Sequence, residues 1–236
     1  MTEDFVKYIY KFRFINKEKQ LQFEVVLNKK DLSLVSPSAE QPYPEWTKLE
    51  VSQCKVCNLD KTKNVYCPVA VNLLPVVNIF SEHISFEEVE VNVETDQRDY
   101  RKTLPLQKGL SSLIGIYMVS SGCPIMKKLK PMLKFHLPFA TAEETKYRVL
   151  SMYLLAQYFL FRRGEQPDWE LKNLISLYSE IKDVNIHLCK RLSNVITEDA
   201  TSNAVILLNC FAETIIVSIT KNVIKEIETL FTSYFE

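Results

Sequence analysis

Along the first hundred residues, apolar and polar positions alternate; beyond them, apolar positions recur every three or four residues. Tyr8-Ile9-Tyr10-Lys11-Phe12-Arg13-Phe14 and Leu21-Gln22-Phe23-Glu24-Val25-Val26-Leu27 alternate with the period of two that places one face of a strand against a core. Asn16-Lys17-Glu18-Lys19 lies between them as a polar turn, so the pair predicts a hairpin. Leu32 to Val35 predicts a short strand, and Ser36 to Pro44, with three prolines, a loop. Trp46 to Val51 predicts a further strand. Val69 to Phe80 has the spacing of a short helix with Pro75 as a flaw, because proline lacks the N–H that a helix interior uses. Val89 to Glu94 alternates cleanly and pairs with Tyr100 to Leu104 across Asp96-Gln97-Arg98.

From Leu106 the period changes. Leu106 to Ser120 is a helix that ends before Gly122, and Pro124 suits the first position of the next helix. Lys127 to Phe135 is a short basic helix containing Pro131. Thr141 and Glu144 form a capping box that opens a helix to about Arg162. Pro167-Asp168-Trp169-Glu170 opens another to about Val195, and Asp199 caps a last one reaching Ser233. The fold class is α+β: a β-rich N-terminal half over 1–105 carrying a cysteine knuckle, and a C-terminal bundle of four or five helices over 106–236. The two halves are equally compatible with one integrated domain.

Composition narrows the function. Apolar residues make up 47% and charged residues 25%, as in a globular protein, and 29 basic residues balance 29 acidic ones. Binding to nucleic acid or to a membrane surface uses a cationic face that this balance does not supply. The N-terminal Met1-Thr2-Glu3-Asp4 has acids where a signal peptide has bases, and Ala204 to Ile219 reads as a buried helix rather than a membrane span. The expectation is a cytoplasmic protein with reduced cysteines. With only four glycines in the chain, no phosphate-cradling loop or nucleophile elbow is present.

The chemistry lies in the cysteines. Cys54, Cys57 and Cys67 fall within fourteen residues as C-x2-C-x9-C-P, and Cys123 comes later in a second Cys-Pro pair. A C-x2-C turn faces two thiolates toward one ion, and two more cysteines complete a tetrahedral sulfur site. Zn2+ is the first choice of cofactor; an iron–sulfur cluster accepts the same four thiolates and is the alternative. His83, sixteen residues after Cys67, is the alternative fourth ligand. Cys189 and Cys210 sit within helical patterns and read as core residues. Cys123 also has a reading of its own: at a helix start beside Lys127 and Lys128 it suits a nucleophile, with His136 as its base. Asp183 and His187, four apart on one helix face, read as a surface or supporting pair. The Lys127, Lys128, Lys130 and Lys134 cluster reads as a solvated face.

Cys54-x-x-Cys57, Tyr66-Cys67-Pro68-Val69-Ala70, Ser121-Gly122-Cys123-Pro124 and Phe135-His136-Leu137-Pro138-Phe139-Ala140-Thr141 resemble runs of an uncharacterised bacterial family, a domain of unknown function. The resemblance spans nearly the whole chain and implies no activity. The residues are compatible with three classes of function. The first is a metal-binding regulatory or scaffolding protein with Cys54, Cys57, Cys67 and Cys123 as ligands. The second is a cysteine-dependent enzyme or iron–sulfur redox protein. The third is a cofactor-free interaction protein that uses the last helix to bind a protein partner or form a homodimer.

Overall fold

The computed structural model describes residues 4–35, 42–220 and 224–236. Strands β1 (Phe5–Phe14), β2 (Gln20–Asn28), β3 (Glu88–Glu94) and β4 (Asp99–Pro105) form one antiparallel sheet in the order β2-β1-β3-β4. The alternation in the sequence is used directly. Tyr8, Tyr10, Phe12, Phe14, Val25, Leu27, Val89, Val91 and Val93 are buried on one face. The other face carries cross-strand ion pairs, among them Lys11–Glu94 and Arg13–Glu90. Such exposed pairs fix register more than they add stability.

Between β2 and β3 the chain forms α1 (Pro68–Phe80), which keeps Pro75 in its interior and starts on Cys67 as N-cap with Pro68 behind it. After β4 come α2 (Leu106–Ser120), the short α3 (Lys130–Lys134), α4 (Ala142–Arg162), α5 (Lys172–Leu192), α6 (Ala200–Thr220) and the short α7 (Lys225–Glu228). The Thr141–Glu144 capping box is present at the start of α4. Helix α2 lies directly on the sheet: a Cβ on Gly109 would stand 2.9 Å from Val91 and 3.0 Å from Phe12. Buried side chains of the sheet and of α1, α2, α4, α5 and α6 belong to one contiguous cluster, so residues before and after 105 share a core.

Several expected elements differ. Trp46 to Val51 is not a strand: Glu45–Thr47 is a 3-10 turn, and Lys48 makes a lone bridge to Tyr66. The carbonyls of Trp46, Lys48, Leu49 and Ser52 all turn toward the Arg191 guanidinium, which a strand in a ladder cannot do. The short strand at Leu32 to Val35 is one bridge, Leu27 to Leu34. Most of the proline loop over 36–44 lies outside the described residues. The basic helix breaks into a 3-10 turn, Met126–Leu129, and α3, with Pro131 in the first turn of α3. Helix α5 begins later than Pro167, after Leu171 adopts a left-handed φ of 61°, with the Asp168 carboxylate accepting from the Lys172 and Asn173 amides. Helix α6, the expected last one, is described over Ala200–Thr220, with part of the expected span outside the described residues.

Helix α6 is buried on one face only: its most apolar window is 28% buried, and among the described residues it is the helix long and apolar enough to cross a membrane by length and composition. Helix α4 also leaves Leu154, Leu155, Tyr158, Phe159 and Phe161 exposed.

Candidate metal centre

Four cysteines from three stretches of chain line one small cavity of about 30 Å³, together with His187 and Arg191 of α5. Cys54 and Cys57 lie in a tight turn in which the Cys57 amide donates to the Cys54 carbonyl at 3.1 Å. Cys67 is fixed at the head of α1, where its amide donates to the Thr47 carbonyl at 2.8 Å. Cys123 comes directly after Gly122, whose φ of +82° turns the chain away from the end of α2. A residue with a side chain adopts that conformation only at a cost.

Helix α5 holds this wall in place from both sides of Cys54. The Ser52 hydroxyl donates to the His187 carbonyl at 3.2 Å, and the Val56 amide donates to the Asp183 carboxylate at 3.2 Å. His187 Nδ1 lies 2.8 Å from the Asp183 carbonyl, which only accepts, so Nδ1 carries a proton and donates there. The Cys54 sulfur, an Asp183 carboxylate oxygen and a His187 ring nitrogen all lie within 4.8 Å of one another.

Arg191, 2% exposed, closes the cavity with its guanidinium satisfied by the four carbonyls of the 46–52 segment. It brings positive charge to a nest of thiols. Burial pushes the Cys54 thiol up to about 12, with Cys67, Cys57 and Cys123 adding to the rise. Burial also raises Cys123, but the Met126 and Ile125 amides act on its sulfur in the opposite sense, toward the thiolate.

The expected closed knuckle is not formed. Among the described residues no three of the four cysteine sulfurs lie within 4.8 Å of one another; the close group is Cys54, Asp183 and His187. The four share a cavity without making a tetrahedron: Cys54 and Cys57 sit on a loop drawn toward α5, Cys67 caps α1, and Cys123 lies in the turn after α2, where the expected helix start at Pro124 is not formed.

His83 is not among the cavity residues. Its Nδ1 is 2.7 Å from Glu87 and its Nε2 2.8 Å from Lys19, and its ring packs on Phe14 and Phe80 under the sheet. Both nitrogens are already partnered. His136 does not meet Cys123 either. It lines a different cavity, with Nε2 2.6 Å from the Tyr10 hydroxyl and 3.3 Å from Ser112. Burial lowers its pKa to about 3, with the Arg148 charge acting the same way, so the ring is neutral and accepts from Tyr10. Cys189 is half-buried against α6, and Cys210 is exposed rather than in the core.

Arg191 is the site residue that sequence reasoning misses. An arginine near the end of an amphipathic helix reads as solvated, and only the polar 46–52 segment opposite it hints at a buried cation. Asp183 and His187 are legible as a pair but not as neighbours of Cys54.

A family model described as a domain of unknown function (DUF6901) matches residues 8–232. The chain therefore belongs to that family. No curated protein and no solved structure gives a significant match.

Proposed function

We propose that this DUF6901 protein is a scaffolding or regulatory protein that holds one zinc ion through Cys54, Cys57, Cys67 and Cys123. The observation that carries the reading is convergence: four of the six cysteines, spread from 54 to 123, line a single cavity. Its volume of about 30 Å³ suits one ion or one water rather than a multi-atom iron–sulfur core, which favours zinc. Sulfur-rich donors select zinc over harder cations.

The surroundings fit thiolates. A zinc ion with four thiolates carries two negative charges. The buried Arg191 guanidinium offsets one, and the Ile125 and Met126 amides favour the thiolate of Cys123. A zinc–sulfur bond of about 2.3 Å requires the sulfurs to draw together around the ion. The Cys54–Cys57 turn would have to shift on its two hydrogen bonds to α5, since Cys67 is fixed as the N-cap of α1. Ligation would then tie the loop between β2 and α1 to the turn after α2, which makes ion binding part of folding. His187 stands beside Cys54 as a competing fourth donor.

The enzyme alternative has weaker support: Cys123 is buried, its thiol is raised, and His136 belongs to the other cavity.

Elemental analysis of protein purified without chelator tests the proposal. About one zinc per chain is expected. Cys67→Ser and Cys123→Ser should lose it, and His187→Gln should keep it. A wild-type chain that takes up no metal even when refolded with zinc would refute the proposal. Metal lost in His187→Gln but kept in Cys123→Ser would move the fourth ligand to the histidine.

A further inference from the structure

A second, much larger cavity of about 570 Å³ lies between α2, α5, α6 and the α3–α4 connection. Its size falls in the range of roughly 300–1,000 Å³ typical of small-molecule sites. Most of its wall is apolar, with Ile116, Val119, Leu133, Ile181, Leu208 and Phe211 contributing. An apolar void of about 150 Å³ already suffices to bind a benzene-sized molecule.

Three features point to a particular kind of occupant. Asn185 of α5 lines the cavity, is 1% exposed, and has no partner for either its amide oxygen or its amide nitrogen. A buried amide left unpaired costs about 1–3 kcal/mol, so a group that both donates and accepts is wanted there. The charged residues of the lining are Lys102, Lys108 and Arg148, with no carboxylate among them. Arg148 donates to the Met132 and Phe135 carbonyls through Nη2 alone, which leaves Nε and Nη1 for another acceptor. Finally, Gly115 lines the cavity from mid-helix, and a Cβ there would meet nothing nearer than Leu208 at 3.9 Å. Glycine inside a helix costs about 0.5–1 kcal/mol relative to alanine, and here it keeps space open.

The polar features are spread along the cavity. Tyr178, Ile181 and Asn185 succeed one another on one face of α5, and seven residues of helix rise about 10 Å. Arg148 is anchored at the end of α3 by the Met132 and Phe135 carbonyls, and its charge acts on the Tyr178 hydroxyl, seven residues from Asn185 along α5.

We infer that this cavity binds an amphipathic carboxylate: an aliphatic chain lying along α5, its anion at Arg148 with Lys102 and Lys108 at the rim, and a hydroxyl or carbonyl further along the chain paired with Asn185. This inference is independent of the metal centre: both cavities abut α5, but they share no lining residue.

Calorimetric titration of the intact chain with decanoate, ω-hydroxydecanoate and decanol tests it. Both carboxylates should bind, ω-hydroxydecanoate more tightly, and decanol at least about tenfold more weakly than decanoate, the loss expected for a charge-assisted hydrogen bond. Gly115→Leu should occupy part of the cavity and weaken binding while circular dichroism and Tm show a folded protein. Lys108→Glu, at an exposed rim position, should weaken the carboxylates but not decanol. Asn185→Leu should erase the preference for the hydroxylated chain. No binding of either carboxylate, decanol binding as tightly as decanoate, or binding unchanged by both Gly115→Leu and Lys108→Glu would each overturn the inference.

Discussion

Arg191 is the largest side chain in the fully buried set, and among the described residues no carboxylate answers its charge. Four backbone carbonyls do, from Trp46, Lys48, Leu49 and Ser52. A guanidinium presents five donors in a planar fork and so can collect several carbonyls of one turn, whereas an ammonium offers three donors from a point. Arg191→Met would leave those carbonyls buried and unpaired, a loss of about 3–5 kcal/mol. Arg191→Lys should recover only a minor part of it. Urea denaturation of the two variants checks this; a lysine variant as stable as wild type would mean that charge alone, not the fork, holds the segment. The same residue shows where the sequence stops being informative. The cysteine spacing is visible in it, and the Asp183–His187 pair too. That Arg191 folds the preceding loop, and so brings Cys54 to α5, depends on a contact across 142 positions that no local pattern encodes.

Helix α2 contains two glycines whose roles the pattern of apolar positions does not separate. Gly109 sits where the helix touches the sheet, and any Cβ collides with Val91 and Phe12. A Cβ on Gly115 would meet Leu208 at an ordinary contact distance of 3.9 Å, with no collision. Gly109→Ala should therefore destabilise by about 1–3 kcal/mol, since overpacking against β1 and β3 outweighs the helix propensity gained. Gly115→Ala should stabilise by up to about 1 kcal/mol. Thermal melts of the two variants decide; equal shifts of one sign would mean that α2 moves freely on the sheet. Strands β1 to β4 and helices α2 and α4 are legible because alternation, helical period and a capping box act locally. Trp46 to Val51 reads as a strand yet is not one, because a run with strand-like residues is recruited by a buried cation instead. The broken helix around Pro131 shows the converse: helical spacing survives in the sequence while the proline resets the local geometry.

At the scale of the molecule, the cysteine cavity lies where the long connection before α1 meets the turn after α2 and the buried face of α5. The sheet is held by its own ladder and aromatic core, with Phe12, Phe23 and Phe80 in mutual contact, and does not depend on that junction. On the proposed zinc site, removing the ion should then loosen the molecule unevenly. In hydrogen exchange, amides of residues 48–67 and 121–127 should lose protection in chelator, while β1 and β3 keep theirs. Uniform loss would mean that the ion supports the whole fold, and no loss would mean that the cysteines hold nothing. Acid should act like chelator. Burial raises the Cys54 and Cys123 thiols, so each must give up a proton to bind metal, and protons compete more strongly as pH falls. Zinc affinity is therefore expected to drop by about tenfold per pH unit for each thiol that ionises on binding. A competition titration against a chromogenic chelator between pH 8 and pH 6 reads that slope. A slope near zero would mean that no thiol gives up a proton on binding, and would take the cysteines out of the site.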